Sequence, residues 1–211
     1  MIWCALLLSF VIAGPAAAPL LAQGTCPPGM PPGVFCGERN IAHATAGTYT
    51  LDADHAAVLA RVSHIGYSIS VFRFDRIAGT LVWDPNDIAA SKITASVKTE
   101  SIASNVKGFA SLLAGDNFLK APQFPHIVFT STAFRPVDKV TGKVEGQMTF
   151  LGKTAPVTFD VTLVGAGKGF AGQPRLGIHA SGWIKPADFA MAAMFVDPIE
   201  IVLDVEFERA P

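Results

Sequence analysis

Hydrophobic and polar positions alternate along most of the chain between Gly47 and Phe207. The alternation is clearest near the C-terminus, where every second residue of Ile199–Phe207 is apolar and most residues between them are acidic. A period of two with one wholly apolar side is typical of a strand that packs one face on a core. The same pattern recurs in several segments, among them Ile93–Val97 and Val157–Leu163. Seven or eight such strands predict a β-sandwich or a closed barrel.

One stretch has the spacing of a helix instead. Asn105 is a residue type that caps helices, and the apolar residues after it recur at spacings of three and four. These residues are Val106, Phe109, Leu112 and Leu113. In a chain that is otherwise β, we expect this short amphipathic helix to cover one mouth of a barrel as a lid.

The N-terminus carries an apolar run from Ile2 to Ile12, followed by Gly14-Pro15 and three alanines. The run is too short to span a bilayer comfortably, and small residues after an apolar segment are typical of a cleavage site. We therefore expect residues 1–22 to be a secretory signal peptide and the mature protein to reach the periplasm. An uncleaved anchor is the alternative, because no Lys or Arg precedes the apolar run.

A linker is predicted over residues 23–46, between the signal and a domain at 47–211. Eight of the fourteen residues from Gly24 to Gly37 are Gly or Pro, which is too many for regular structure. We expect this segment to act as a tether.

The cysteines predict one disulfide. Cys4 leaves with the signal peptide, so the mature chain keeps Cys26 and Cys36. An even number of cysteines in an exported chain favours a disulfide between these two. We expect no metal site, because two single cysteines lack histidine partners at zinc-ligand spacing and His43 is the only candidate nearby.

Composition narrows the classes of partner. Half of the 211 residues are apolar, the mean hydropathy is +0.40 and the formal net charge is −1. The sequence has no dense cluster of Lys or Arg, so we expect no nucleic-acid partner. The scattered charges suit a solvated surface of strand faces.

Few residues suggest catalysis. The sequence has no G-x-S-x-G motif, and Asp188 and Asp197 lie in turn-like contexts beside proline, where Asp commonly bonds to the backbone. Asp52 and His64 adjoin strand ends, where structural hydrogen bonds are the simpler explanation. We expect no enzyme activity and no cofactor, whereas an enzyme would need Asp52, His64 or Asp188 to converge in a cavity.

The sequence is rich in large apolar side chains, with fifteen Phe. Such bulk suits a packed core, and it equally suits a hydrophobic cavity of the kind that binds ligands. In the lid, we expect the ligand to contact Phe109, Leu112 and Leu113. Alternation alone selects the wall residues, which are Val97, Phe129, Phe150, Phe159 and Leu203.

Six motifs occur in an order that belongs to a known family. They are Tyr49-Thr50-Leu51-Asp52 with Asp54-His55, Val62-Ser63-His64-Ile65-Gly66, Gly79-Thr80-Leu81-Val82-Trp83-Asp84-Pro85, Phe124-Pro125-His126-Ile127-Val128-Phe129-Thr130-Ser131, Gly146-Gln147-Met148-Thr149-Phe150-Leu151-Gly152-Lys153-Thr154 and Asp188-Phe189. Each is weak alone, but together they cover nearly the whole mature domain. In this the chain resembles the YceI-like family, the polyisoprenoid-binding periplasmic proteins of bacteria.

The resemblance implies an all-β fold, an eight-stranded antiparallel barrel similar to the lipocalins, with a short lid helix. It implies a bound isoprenoid, quinone or other long-chain lipid, no catalysis and, in many members, a homodimer. Each buried methylene contributes roughly 0.8 kcal/mol, so a long tail can bind without a specific polar anchor. A transient membrane contact is a further expectation.

The chain departs from the family pattern at the lid. Family members commonly carry an Arg-Asp pair and a histidine before the leucine near the end of the lid helix, where this chain reads Phe109-Ala110-Ser111-Leu112-Leu113. The family's Asp-Phe-Gly after a basic residue appears as Pro186-Ala187-Asp188-Phe189-Ala190. Because the charged and imidazole groups are absent, we favour a neutral ligand, such as a quinone, fatty amide or free isoprenoid, over a pyrophosphate.

These observations predict an exported carrier that holds a long-chain amphiphile in its barrel. The alternative is a solid-cored interaction module that partners a membrane redox or envelope protein. That alternative predicts no cavity and an exposed apolar patch.

Overall fold

The computed structural model describes residues 26–31 and 34–209, so the signal peptide expected over 1–22 lies outside the described residues. The strands are β1 Gly47–His64, β2 Ser68–Phe74, β3 Ile77–Trp83, β4 Lys92–Lys98, β5 Ile102–Ala103, β6 His126–Pro136, β7 Thr141–Phe150, β8 Lys153–Lys168, β9 Pro174–Ile184 and β10 Ile199–Arg209. The α-helix is α1 Phe109–Ala114, and 3-10 turns lie at Ile41–His43, Ile88–Ala90, Thr99–Ser101 and Pro186–Phe189.

Eight strands close into an antiparallel barrel. Around the wall the order is β1, β3, β4, β6, β7, β8, β9 and β10, and β10 then pairs with β1. The period-two pattern turns every second side chain of each strand inward. The structure thus confirms the barrel and excludes the sandwich.

β2 and β3 run one after the other along β1. β2 pairs with Val58–His64 and β3 pairs with Gly47–Thr50. The break between them at Asp75-Arg76 lies opposite a bulge in β1, where the register with β10 shifts between Asp52 and Ala56. β5 adds a short rung by pairing with the end of β2.

The chain runs unbroken through two positions of this region. β1 is a single strand of 18 residues. Gly79 stays paired with Ala95 inside β3. The chain breaks instead at Asp75 and Arg76, because both backbone N–H groups there donate to Ser101, each at 3.1 Å.

The lid helix begins later than predicted, and Asn105 does not cap it. Gly108 precedes the helix with φ +79°, a left-handed conformation that cannot continue into a right-handed turn upstream. Before that glycine, the Ser104 hydroxyl accepts a hydrogen bond from the Val106 N–H at 3.2 Å. The helix therefore spans only the six residues of α1.

The buried residues form two clusters along the barrel axis. One contains Leu113 and Leu119 from the lid region together with Phe72, Phe150 and Phe189. The other contains Ala44 from the segment before β1, together with Tyr49, Leu163 and Phe207. We call these halves the lid end and the plug end. The plug is residues 38–44, and the lid is residues 104–123.

The described helices are short. None of them combines the length and the apolarity that a helix needs to cross a membrane.

Candidate ligand cavity

A cavity of about 280 Å³ runs inside the barrel from the lid end to the plug end. Its wall consists of the inward-facing side chains of the strands, which are almost all aliphatic or aromatic. Polar and charged lining residues gather at the β6–β7 hairpin, over 135–143. The cavity therefore offers a long apolar path with polar groups near one end.

The five wall residues chosen from alternation all line the cavity. They are Val97, Phe129, Phe150, Phe159 and Leu203. The Phe129 and Phe159 rings meet edge to face, and Phe150 stacks at a tilt against Phe189, with ring centroids 5.7 Å apart. The aromatic side chains thus support one another while one face of the wall stays open to the cavity.

The three lid residues have different positions. Leu113 is buried and lines the cavity. Phe109 packs on Phe72 of β2, with ring centroids 6.0 Å apart, and is not a lining residue. Leu112 is 51% exposed on the outer side of α1. The structure therefore brings six of the eight sequence-selected residues to the cavity, and whether they bind a ligand stays a prediction.

Sequence reasoning missed other residues that close the lid end. Leu119 follows α1 and is buried, while Met191 and Phe195 lie in the loop 190–198 between β9 and β10, which we call the rim loop. Phe195 packs on Phe118 of the lid, with ring centroids 6.2 Å apart. These residues follow no strand or helix period, so the only available signal was their apolar character within loops.

The plug closes the opposite end. Ile41 and Ala44 line the cavity, and the Trp83 indole N–H donates to the Ala44 carbonyl at 2.9 Å. Glu38 exchanges two backbone hydrogen bonds with Ala166 at the end of β8, at 2.9 and 2.8 Å. The second half of the segment expected as a tether is therefore packed on the barrel.

The segment before the plug carries the predicted disulfide partners. The structure joins Cys26 and Cys36 by a disulfide. This bond closes a small covalent loop immediately ahead of the plug and restricts its conformations.

Asp138 shapes the hairpin at the plug end. Its carboxylate accepts hydrogen bonds from the Val140 and Thr141 N–H groups at 2.8 and 2.7 Å. These bonds, the one from Val140 first, lower the pKa of the carboxyl. The ionised carboxylate of Asp138 therefore stabilises the hairpin turn.

The groups that an enzyme would need lie elsewhere. His64 and Asp188 are exposed, His64 at the end of β1 and Asp188 in the 3-10 turn before the rim loop. Asp52 lies at the bulge of β1. Within the described part of the chain, none of the three lines the cavity.

Asp52 belongs to an ionic network on the barrel surface. Its carboxylate lies 2.8 Å from His55 Nδ1 and 2.9 Å from Arg175 Nη2. Burial raises the pKa of Asp52, but the hydrogen bonds from His55 and the Asp54 N–H and the charges of His55 and Arg175 outweigh that effect. The pKa of the carboxyl therefore lies below its ordinary value, and Asp52 is ionised at neutral pH.

The same network contains the group of acidic and imidazole side chains whose spacing suits a cation. The ligand atoms of Asp52, His55 and Glu206 lie within 4.8 Å of one another. Arg175 forms ion pairs with Asp52, Glu206 and Glu208, so a guanidinium already supplies the positive charge there. The arrangement acts as a salt-bridge cluster on the surface of the described residues.

Comparisons with known proteins agree with this geometry. A protein-family model for the YceI-like domain matches residues 49–207. A UPF0312 protein of Pseudomonas putida (strain GB-1) is 34% identical over 167 residues, which cover 78% of this chain and 87% of that protein. A UPF0312 protein of Vibrio vulnificus (strain YJ016) is 36% identical over 155 residues, covering 72% of this chain and 81% of that protein.

Solved structures share the fold. BcnA of Burkholderia cenocepacia superposes with a TM-score of 0.66 at 21% identity, over 74% of this chain and 98% of that chain. A Campylobacter jejuni YCEI protein superposes with a TM-score of 0.63 at 25% identity, over 71% of this chain and 91% of that one. A polyisoprenoid binding domain from Saccharophagus degradans, implicated in plant cell wall breakdown, superposes with a TM-score of 0.56 at 14% identity, over 77% and 98%. The chain belongs to the YceI-like family.

Proposed function

We propose that this protein binds a long-chain hydrophobic ligand inside its barrel and carries it through the periplasm. The observation that supports the proposal is the cavity of about 280 Å³ with its apolar wall. Water makes few hydrogen bonds in such a space, so apolar cavities stay dry and accept apolar ligands. Each methylene that enters contributes roughly 0.8 kcal/mol.

The proposed ligand is an isoprenoid, a quinone or a similar lipid. A fold neighbour, the domain from Saccharophagus degradans, is described as polyisoprenoid-binding, which supports this class for the present chain. A flexible isoprenoid chain also suits a passage lined by methyl groups and ring faces.

We propose a neutral headgroup. The lid residues that face the cavity, Leu113 and Leu119, offer neither charge nor a hydrogen-bonding group. A pyrophosphate beneath this lid would lose its hydration without gaining a partner. At the far end, Arg135 and Lys143 are already paired with Glu145 and Asp160, and Lys139 adjoins the acidic Asp138 in the chain.

Export and the absence of catalysis are parts of the same proposal. The apolar run at Ile2–Ile12 supports an export signal, and a disulfide between Cys26 and Cys36 suits an oxidising compartment. The outward positions of His64 and Asp188 support binding without chemistry. A cavity of this size argues against the solid-cored interaction module.

The first test is the identity of what the protein carries. The chain is expressed in a bacterium with a periplasm, purified without detergent and extracted with organic solvent for mass spectrometry. We expect a long-chain lipid near one per protein. An empty extract, together with no uptake of added quinone or polyprenol, would refute the carrier function.

A titration tests the site and the headgroup. We expect Val161→Phe, which fills the cavity, to weaken binding of decylubiquinone at least ten-fold. Val164→Phe is the matched control, because Val164 lies on the same strand with its side chain exposed. We also expect a polyprenol to bind better than its pyrophosphate, and the opposite order would overturn the neutral headgroup.

A further inference from the structure

The hairpin between β1 and β2 ends in a markedly apolar tip. Ile65 is 81% exposed and Tyr67 is 87% exposed, and Ile69 and Val71 on β2 also face solvent. From Val62 to Val71 the chain carries no Asp, Glu, Lys or Arg. A contiguous apolar surface without charge marks an interaction site more often than an ordinary solvated turn.

The backbone conformation of the tip makes an isoleucine at position 65 energetically unfavourable. Ile65 and Gly66 both have positive φ, +54° and +76°, and the Tyr67 N–H closes the turn on the His64 carbonyl at 3.0 Å. Such turns favour Asn or Gly, whose backbones tolerate the left-handed region. A β-branched side chain there is a strained choice that folding alone would not favour.

A second hairpin shows how the fold normally offsets this strain. Leu151 and Gly152 form the turn between β7 and β8, also with positive φ at both residues, +50° and +73°. Leu151 packs against the buried cluster of the lid end, so its contacts offset the strain. Ile65 is 81% exposed instead, so little packing within the described residues offsets its strain.

The tip lies at the lid end, where neighbouring segments are apolar on both sides. Leu113 of the lid lines the cavity while Leu112 beside it is exposed. In the rim loop, Phe195 lines the cavity while Val196 is exposed. The hairpin itself follows the same rule, since Val62 lines the cavity below the tip. These thin covers separate an apolar interior from an apolar exterior.

We propose that the tip (Ile65 and Tyr67), together with Leu112 and Val196, inserts into the hydrocarbon surface of a lipid bilayer. The inference rests on the proposed carrier function: the ligand passes between cavity and bilayer beneath covers that offer apolar contacts on both sides. Insertion also supplies the contact that Ile65 lacks within the chain.

The charge distribution at the lid end favours attachment to a bilayer by insertion of apolar side chains over attachment by electrostatic attraction. In the lid, Lys107 and Lys120 face one acidic residue, Asp116. Around the rim loop and the 3-10 turn before it, Lys185 is accompanied by Asp188 and Asp197, so the described charges of this end balance. Binding should therefore need no anionic lipid and should depend little on salt, unlike adsorption through a basic patch. At the plug end the exposed apolar residues are mixed with charges, since Val137 precedes Asp138-Lys139 and Lys168 lies over the Phe35 ring.

Flotation with phosphatidylcholine vesicles tests the docking surface. We expect the full chain to float with vesicles equally at low and high salt, and Ile65→Asn to weaken this association about ten-fold or more. Since Asn suits the turn better than Ile, we also expect Ile65→Asn to raise the Tm by ~2–4 °C. A purely structural role for Ile65 cannot produce the two changes together.

Matched controls lie at the other end of the barrel. Phe170 has the same exposed fraction as Tyr67, 87%, but occupies the β8–β9 turn. We expect Tyr67→Ser to reduce flotation several-fold and Phe170→Ser to leave it within two-fold. Equal losses of flotation from the two variants would indicate non-specific hydrophobic adsorption and would overturn the docking surface.

Ligand uptake measured without vesicles tests the carrier function independently of membrane docking. Uptake of decylubiquinone, added without vesicles, is measured as quenching of the fluorescence of Trp83, because this side chain lines the cavity. The Trp83→Phe variant is the blank. We expect Ile65→Asn to keep this affinity within two-fold but to slow transfer of the quinone from vesicles about ten-fold.

If the unmodified chain takes up the quinone and the Ile65→Asn variant floats as well as the unmodified chain, docking is refuted and the carrier function stands. If the chain floats through Ile65 yet takes up no quinone, the carrier function fails instead. If Ile65→Asn only converts a dimer to a monomer in light scattering, the tip's partner is a second copy and the lipid surface is refuted.

Discussion

The ring of Phe129 on β6 meets the ring of Phe159 on β8 edge to face inside the barrel, with centroids 5.2 Å apart and planes at 85°. Each ring lies over a glycine of a neighbouring strand. A Cβ atom on Gly146 of β7 would lie 2.4 Å from Phe129 Cζ, and one on Gly182 of β9 would lie 2.8 Å from Phe159 Cδ1. The two glycines therefore let the two rings lie flat on the wall, which keeps the centre of the barrel open.

We expect Gly146→Ala to destabilise the barrel by about 1–3 kcal/mol. The new methyl would meet the Phe129 ring and also the Thr130 carbonyl, at 2.5 Å, and the backbone carbonyl cannot move aside as a flexible side chain would. Urea unfolding measures the loss. Gly177→Ala on β9 is the control, because its nearest neighbour would lie at 3.7 Å, and its stability should not fall. Equal stability of the two variants would contradict the close packing.

Ala190 offers a stabilising change. It follows the 3-10 turn Pro186–Phe189 with φ +52° and ψ 39°, where a Cβ atom is unfavourable. After the entropy that glycine adds to the unfolded chain is subtracted, we expect Ala190→Gly to raise the free energy of unfolding by about 0.5–1 kcal/mol. Thermal unfolding measures the gain. Ala187→Gly within the turn should lower stability instead, and a loss from both variants would contradict the strained backbone.

The indole of Trp83 should hold the plug in place. Trp83→Phe removes the donor to the Ala44 carbonyl, which lies in a buried position, and an unpaired buried carbonyl costs about 1–3 kcal/mol. We expect the loss to be local, with faster hydrogen exchange over residues 38–44 and little change in the lid. Trp183→Phe, at an exposed position on β9, is the control. Unchanged exchange in the plug would show that packing alone holds it.

Asp52 should make the free energy of unfolding depend on pH in the acidic range. Its folded pKa lies below the ordinary 3.8, so it contributes stability that is present above pH ~4 and is lost as the pH falls through the folded pKa. We expect Asp52→Asn to flatten the fall in unfolding free energy as the pH drops below ~4. Asp54→Asn, an exposed neighbour at the same bulge, provides the comparison. A slope as steep as that of the unmodified chain would assign the acid sensitivity to other carboxyls.

The wall of the cavity could be predicted from the sequence, because a strand turns every second side chain to the same face whatever surrounds it. Val97, Phe129 and Leu203 follow from that rule alone. The lid could not be predicted to the same depth. A six-residue helix has too few turns to fix its orientation, so Leu112 and Leu113 looked equivalent although only Leu113 turns inward.

The covers at both ends depend on contacts between distant segments, which no local pattern encodes. Gly and Pro suggested a loose tether before β1, but those residues leave open what the chain packs against, and the plug is held by Trp83 and Ala166. Phe195 likewise lies in a loop without periodicity, and its position becomes clear only from Phe118 opposite.

The pairing of Glu38 with Ala166 also constrains the order of assembly. The plug precedes the barrel in the chain, yet its hydrogen-bonding partner lies at the far end of β8, so it cannot settle until most of the wall exists. The loop between Cys26 and Cys36 spans only ten positions and can close independently of that event. The plug can therefore close its end of the barrel only after β8 has joined the wall, and until then the cavity is open at that end.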